Sequence, residues 1–423
     1  MREKIKVAVI FESSPFDRKG LFNAVHERIR HLAGTGECEV DAFCIHARDN
    51  VLTRMLRHTS KVPHPDSVVI DDVKYRMLWY RFSVTDHMLV WKLHREPLFF
   101  GALVRRAVTM LDGYDVVSAH SFAGALIAAE ASARFGIPYY VSWHGSDVHT
   151  FPRRNPLVLR RTKALMEGAT CNFFVSRALL ESSSYICTDA CKRVLYNGVS
   201  EAFVRFPEQD RLSLRARFGV DGNSKVVAFV GNLVAVKNVT VLHPLFRAIR
   251  AGYDGALQFW IVGDGKLHDK VVPAMLADDM IDVRFWGNVP SEQMPALMNC
   301  IDLLVLPSLN EGLPLVTVEA LKCGTAVVGS DAGGIPEVIG HDCTVPLGPA
   351  FVENMAVLAC RMLSDDCSGS SGNDCSGNDC SGNGCCDNGC CDNSYYGNRR
   401  TLPDEMDWDK TAAAELDFIR GLV

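Results

Sequence analysis

The sequence predicts an α/β protein of two doubly wound domains facing each other across a cleft. Strand-like apolar runs alternate with helical segments along most of the chain, the pattern that gives parallel sheets covered by helices. Two such series are separated by a polar stretch, residues 199–224. In both series glycine-bearing loops follow the strands, and ligands of open α/β sheets bind beyond the carboxyl ends of strands. At 423 residues the chain is too long for one ordinary core, and 48% hydrophobic residues are enough to fill more than one.

In the front domain, residues 1–198, Lys6–Phe11 reads as the first strand. A loop through Ser13-Ser-Pro-Phe-Asp-Arg-Lys-Gly20 follows, then a helix from about Leu21 to Ala33. Val40–Cys44, Val116–Ala119 and Tyr139–Trp143 are further strands. Ser121–Phe135 is a helix of small residues, ended by Gly136 and Pro138. The linker, 199–224, carries a polar helix near Arg211–Phe218. The rear domain, 225–360, has strands at Val226–Val230, Leu257–Val262, Val283–Trp286, Leu303–Leu306 and Ala326–Gly329. In the tail, 402–423, Trp408–Leu422 reads as a short helix able to pack across both domains.

One segment departs from this grammar. Residues 367–393 hold seven of the 16 cysteines and repeat Asn-Asp-Cys-Ser-Gly at 373–377 and 378–382. Gly, Ser, Asn and Asp fill no core and favour turns, so the tract reads as a disordered surface insertion. Short thiolate spacings also suit zinc, but the period of five matches no compact zinc module and the tract has no histidine.

The net charge of −6 argues against a general nucleic-acid binder. Residues 1–195 carry 27 Lys and Arg against 20 Asp and Glu, a balance of +7; the remainder carries 17 against 30, a balance of −13. A basic front half suits an anionic membrane surface or acceptor, and scatter between two soluble domains gives the same imbalance. Ile5–Phe11 is too short for a signal-peptide core and is followed at once by Glu12. No apolar run reaches the roughly 18 residues of a membrane span. The expectation is a cytoplasmic protein with reduced, buried cysteines. It can sit peripherally at the inner face of the membrane through residues 75–108, where Trp79, Tyr80, Trp91, Phe99 and Phe100 mix with Arg76, Arg81, Lys92, Arg95, Arg105 and Arg106.

The chemistry concentrates in Leu306-Pro-Ser-Leu-Asn-Glu-Gly-Leu-Pro-Leu-Val-Thr-Val-Glu-Ala-Leu-Lys-Cys-Gly324, a strand end, a loop and a helix starting at Pro314. A helix start exposes unpaired N–H groups and the positive end of the helix dipole, which favours phosphate. Glu311 and Glu319, eight positions apart, can accept hydrogen bonds from sugar and ribose hydroxyls. Phe229-Val-Gly-Asn-Leu-Val-Ala-Val-Lys-Asn238 places Lys237 six residues after Gly231, where its ammonium can meet a diphosphate. Trp260-Ile-Val-Gly-Asp-Gly265 is a second strand with a glycine turn. Tyr140-Val-Ser-Trp-His-Gly-Ser-Asp147 puts a histidine at the end of a front-domain strand.

Together these residues resemble the family-4 retaining glycosyltransferases of the GT-B fold, two facing Rossmann-like domains with an interdomain cleft. The family's Glu-x7-Glu pattern stands as Glu311 and Glu319. Asp331-Ala-Gly-Gly-Ile-Pro-Glu-Val338, Val194-Leu-Tyr-Asn-Gly-Val199 and His144-Gly-Ser-Asp147 are similar to other family segments. The resemblance implies that Glu311 holds the donor sugar, that Lys237 neutralises the leaving diphosphate, and that His144 lies beside the sugar. It further implies that the amides of Gly312, Leu313, Leu315 and Val316 cradle the diphosphate and that Glu319 takes the ribose hydroxyls. Val289 would lie against the base, Gly231 and Asn232 at the strand turn, and Gly20 near the phosphate or acceptor. Many relatives carry Arg where Asn232 stands, and Gly where Pro314 stands.

The activity so implied is transfer of a sugar from a UDP-, GDP- or ADP-sugar to a hydroxyl of a glycan or lipid-linked acceptor, with retention, in surface glycan or polysaccharide assembly. No Asp-x-Asp box stands near the site, so no resident metal or other cofactor is expected. The competing readings are a nucleotide-sugar 2-epimerase, which needs a front-domain carboxylate pair to move a proton, and a non-catalytic sugar-nucleotide binding protein.

Overall fold

The computed structural model describes residues 4–16, 20–49, 51–57, 62–95, 97, 100–364, 403 and 405–423. The Cys-rich tract at 367–393 lies outside the described residues. The front sheet contains β1 (Ile5–Glu12), β2 (Cys38–Asp49), β3 (Ser67–Ile70), β4 (Val73–Phe82), β5 (Val116–His120), β6 (Tyr139–Trp143), β7 (Cys171–Phe174) and β8 (Lys192–Val194). Their order is β3-β4-β2-β1-β5-β6-β7-β8. All neighbours are parallel except the β3–β4 pair. The rear sheet contains β9 (Lys225–Val230), β10 (Leu257–Val262), β11 (Val283–Gly287), β12 (Leu303–Leu306), β13 (Ala326–Ser330) and β14 (Thr344–Val345). Its order is β11-β10-β9-β12-β13-β14, all parallel.

The strand order reverses between β1 and β5 in front and between β9 and β12 behind, which opens a crevice at the carboxyl end of each sheet. Every strand expected from the sequence is present. Both faces of a parallel sheet are covered, so its central strands read as continuous apolar runs, and β5, β6, β7 and β12 are buried along their whole length. The sequence reading missed β3, β4, β7, β8 and β14, which are short, or polar on one face.

β4 corrects the interfacial reading of residues 75–108. Tyr75 is wholly buried, Tyr80 is buried beside Glu12, and Trp79 donates from its indole nitrogen to the Pro65 carbonyl. Phe100 packs against Tyr80 edge-on. Tyr75 and Tyr80 thus fill the front core, and Trp79 and Phe100 are half-buried against it. One group of exposed apolar side chains lies on two helices that leave the same end of the sheet as β2 and β4. They are Val51, Leu52 and Met55 on Val51–Arg57 (66, 57 and 70% exposed), with Met88 on Val84–Trp91 and Leu93 just beyond it. Phe99 and the Trp91 side chain lie outside the described residues.

The stretch 199–224 belongs to the rear domain's packing. Its helix, Glu208–Arg217, is held by Arg215, which donates to Asp302 at 2.9 Å and to the Cys300 carbonyl at 2.8 Å. The tail helix, Trp408–Arg420, docks on the front domain, against the first helix Gly20–Gly34 and over Tyr140 and Phe173. Its partners therefore lie on one domain, although the sequence allowed it to span both. Its only charged residue with a fully enclosed side chain, Glu415, meets Arg28 there at 2.9 Å.

Candidate active site

On the rear side, the chain leaves β12 and passes Glu311 before the helix Leu315–Lys322. Pro314 is the residue before that helix, at φ −77° and ψ 96°, one position short of the start expected for it. Its extended ψ keeps it outside the helical turn, while its missing N–H costs nothing there. Gly324 ends the element at φ +77°. Among the described residues no backbone carbonyl accepts from the N–H of Gly312, Leu313, Leu315 or Val316. Those amides are left for a ligand or for water.

The loop after β9 comes alongside. The Leu309 N–H donates to the Val236 carbonyl at 2.8 Å and ties the two loops together. Lys237, in the turn Ala235–Lys237, thereby reaches Glu311, and its ammonium donates to Oε1 at 2.6 Å. The side chains are only 19% and 13% exposed, so this attraction is screened less than that of a surface pair. Gly231 begins the turn and Asn232 beside it is exposed.

Close approach explains two glycines. A Cβ on Gly312 would lie 2.1 Å from the His144 carbonyl oxygen, and one on Gly334 would lie 2.1 Å from the Gly312 carbonyl oxygen. The two domains thus touch through the His144 and Glu311 loops, backed by the loop after β13. Gly334 also donates its N–H to the Glu311 carbonyl at 3.1 Å. A second tie between the domains comes from Glu337, whose carboxylate accepts from the N–H groups of Arg177 and Ala178 at 2.9 and 2.6 Å and from the Tyr196 hydroxyl at 2.9 Å.

Glu319 lies on the helix, part of its surface open and its carboxyl enclosed by protein. Burial pushes its pKa up to about 7. Val289, in the loop after β11, is half-buried against the core. Gly20 opens the first helix and is exposed. A methyl group there would meet nothing within 4 Å, so no neighbour demands glycine at that position. Among the described residues no group of three or more His, Cys, Asp or Glu is arranged to hold a metal ion.

On the front side, His144 follows β6. Asp147 holds the turn by accepting from the Gly145 N–H at 2.8 Å and the His144 N–H at 3.3 Å. Behind His144 stands His120, at the end of β5, with its Nδ1 3.0 Å from His144 Nε2 and the rings stacked. Burial first, and then the Arg28 guanidinium, lowers the His144 pKa to about 3 and holds His120 well below the ordinary value. Both imidazoles are therefore neutral at physiological pH. Ser121, next to His120, adopts φ +63°, a costly conformation for a residue with a Cβ and one that clusters at functional sites. His149 adds a third ring. Its Nε2 is buried without a partner, 3.3 Å from where a Cβ on Gly145 would stand.

The structure thus brings Lys237, Glu311, Gly312 and His144 into one junction between the sheets. Glu319 lies eight residues along the chain from Glu311, on the helix that leads away from the junction. Sequence reasoning missed His120, His149 and Glu415. The first ends a strand just as His144 does, and the strand-end argument applied to β5 would have found it. His149 lies five residues beyond His144 with no distinguishing local pattern. Glu415 is a lone acid on a polar helix, and nothing local marks it.

The chain matches two family models: "Glycosyl transferase 4-like domain" over residues 20–184 and "Glycosyl transferases group 1" over residues 224–365. It is 25% identical over 354 residues to the putative teichuronic acid biosynthesis glycosyltransferase TuaC of Bacillus subtilis, covering 83% of this chain and 86% of that one. It is 27% identical over 284 residues to the alpha-maltose-1-phosphate synthase of Mycolicibacterium smegmatis, covering 59% of this chain and 70% of that one. Among solved structures, the sucrose-phosphate synthase of Thermosynechococcus elongatus superposes with a TM-score of 0.66 at 19% identity, over 86% of this chain and 90% of that one. Anabaena HepE in complex with UDP and glucose superposes with a TM-score of 0.63 at 19% identity, over 85% and 90%. Two facing parallel-sheet domains, matched front and rear by these two models, make this a GT-B protein, and the chain belongs to the group 1 glycosyltransferases.

Proposed function

We propose that this glycosyltransferase moves a sugar from a nucleotide-diphosphate sugar to a hydroxyl acceptor with retention of anomeric configuration, as family-4 enzymes do. The observation that carries the reading is the Lys237–Glu311 pair at a helix start whose amides are free, facing His144 across the domain junction. The solved neighbour bound to UDP and glucose supports the donor class. Lys237 and the amides of Gly312, Leu313, Leu315 and Val316 take the charge that develops on the leaving diphosphate. The bond between the sugar's anomeric carbon and the diphosphate breaks, the acceptor hydroxyl attacks that carbon from the leaving-group side, and its proton passes to the departing diphosphate. Glu311 exchanges its bond to Lys237 for sugar hydroxyls, Glu319 accepts from the ribose, Val289 and the Gly231–Asn232 turn border the base, and Gly20 lies on the phosphate or acceptor side. This set of roles requires no resident metal or other cofactor.

A thermal-shift screen against UDP-, GDP- and ADP-sugars tests the donor class, because a bound donor stabilises the fold. One nucleotide series is expected to raise the melting temperature, and the matching nucleoside diphosphate is released once an acceptor is added. A new sugar nucleotide formed without any acceptor would indicate an epimerase instead, and an inverted product anomer would exclude retention.

Glu319 makes donor binding pH-dependent. In the free enzyme its carboxyl holds a proton up to about pH 7. Two ribose hydroxyls donating to both carboxyl oxygens favour the ionised form, so below that pH binding releases the proton. Affinity for the intact sugar nucleotide therefore rises by up to about tenfold per pH unit as pH climbs toward 7, and levels off above it. Titration calorimetry from acidic to alkaline pH reads the slope. A flat profile in the wild type, or the same slope in Glu319→Gln, refutes this assignment.

The acceptor is a glycan or lipid-linked hydroxyl, in surface glycan or polysaccharide assembly. Among the described residues no helix is long and apolar enough to cross a membrane. The exposed Val51, Leu52 and Met55, beside Arg48 and Arg54, suit peripheral contact with an anionic lipid surface at the inner face of the membrane. Flotation with anionic vesicles is expected to carry the wild type and to fail for Val51→Asp/Met55→Asp. Equal recovery of both proteins removes the membrane contact.

A further inference from the structure

A line of buried polar groups runs from the tail helix to His144. The Glu415 carboxylate accepts from Arg28 Nε at 2.9 Å, from the Tyr140 hydroxyl at 2.7 Å and from the Ser118 hydroxyl at 3.5 Å. A carboxylate beside a guanidinium only accepts, and the Tyr140 hydroxyl, whose own proton goes to Glu415, also accepts from Ser118, so Ser118 directs its proton toward this pair. The lone pairs of Ser118 are then left for His120 Nε2, 3.5 Å away. His120 accordingly holds its proton on Nε2 and presents a bare Nδ1. That atom lies 3.0 Å from His144 Nε2, which must supply the proton between them. The single acceptor left on the His144 ring is Nδ1.

The order of donors matters because each ring is neutral and has one donor and one acceptor nitrogen. With both nitrogens protonated, His144 could only donate. The lowered pKa values of both rings keep the order intact across the physiological range.

The geometry points to a tautomer relay. Glu415, on the tail helix, fixes His144 as a hydrogen-bond acceptor for a hydroxyl of the donor sugar, with Ser118 and His120 as positioning residues. The assignment of the hydroxyl rests on the placement of His144 beside the sugar proposed above; the proton order does not.

The test uses the full-length chain labelled with 15N-histidine. Long-range proton–nitrogen NMR at neutral pH reads which nitrogen of each ring carries the proton, and His144→Asn assigns the ring by loss of its signals. The wild type is expected to hold the His144 proton on Nε2. Ser118→Ala, which removes one hydroxyl and leaves no large void, is expected to mix the two tautomers. It should also lower kcat/KM about five- to tenfold, the worth of one net hydrogen bond, with whichever of UDP-glucose, GDP-mannose and ADP-glucose stabilises the fold most. His120→Ala should do the same. His120→Asn keeps an acceptor oxygen near the position of Nδ1 and should restore both readouts. A wild-type His144 protonated on Nδ1, or a tautomer unchanged by Ser118→Ala, overturns the relay. Should His144 carry its proton on Nε2 and His144→Asn leave donor kcat/KM unchanged, the sugar contact fails while the proton order stands.

Discussion

Lys237→Ala is expected to lower turnover by on the order of 10²- to 10³-fold, the cost of losing one preorganised group that stabilises developing charge. The lysine is held in place before any donor arrives, because the Leu309–Val236 hydrogen bond joins its loop to that of Glu311. Its ammonium is largely shielded, so its field on a diphosphate is weakened less by water than that of a surface lysine. Lys237→Arg keeps the charge, but its planar fork pairs two-pronged with the Glu311 carboxylate and replaces a compact, mobile point charge, so it should recover only part of the loss. Single-turnover measurement with saturating donor separates the chemical step from binding. A Lys237→Ala rate within threefold of the wild type (roughly 0.7 kcal/mol) would refute electrostatic stabilisation of the leaving group by this residue.

Glu415→Ala is expected to destabilise the front domain by about 3–5 kcal/mol, as happens when one member of a buried ion pair is removed. Arg28 and Glu415 are 3% and 2% exposed, and Arg28 Nη2 already lacks a partner. Without the carboxylate, the guanidinium would keep only its 3.0 Å bond to the Ser142 hydroxyl, and Tyr140 and Ser118 would lose an acceptor. For a domain of this size the loss corresponds to a fall in melting temperature of about 10 °C. Double substitution with Arg28→Met should return much of it, since an apolar pair of similar volume leaves no charge unpaired. A Glu415→Ala protein melting within about 2 °C of the wild type would contradict this account. The same size of effect makes Glu415→Ala a poor probe of the relay and Ser118→Ala the better one.

Much of this molecule was legible in one dimension because the signals are local. Apolar runs of four to six residues such as Leu303–Leu306 and Leu257–Val262 read as strands buried on both faces. The step from strand to loop to helix around Glu311 is local in the same way, and so is Gly324 as the helix stop. β4 was not legible. Its mixture of Tyr75, Met77 and Tyr80 with Lys74, Arg76 and Arg81 reads equally well as an amphipathic surface, and only pairing with β2 along Ala42–Asp49 decides that Tyr75 and Met77 enter the core on one face of the sheet and Tyr80 on the other.

The sequence by itself determined two parallel-sheet domains, the loops at their strand ends and the residue types those loops carry, because periodicity, glycine turns and helix starts are set by neighbours a few positions apart. Only the tertiary structure decided which loops meet. Gly312 lies against the His144 carbonyl, 168 residues earlier in the chain, and Glu415 reaches Tyr140 across 275 residues. Contacts of that span are fixed by how closely two backbones can approach and by where a buried charge finds its partner, and neither leaves a trace in local sequence.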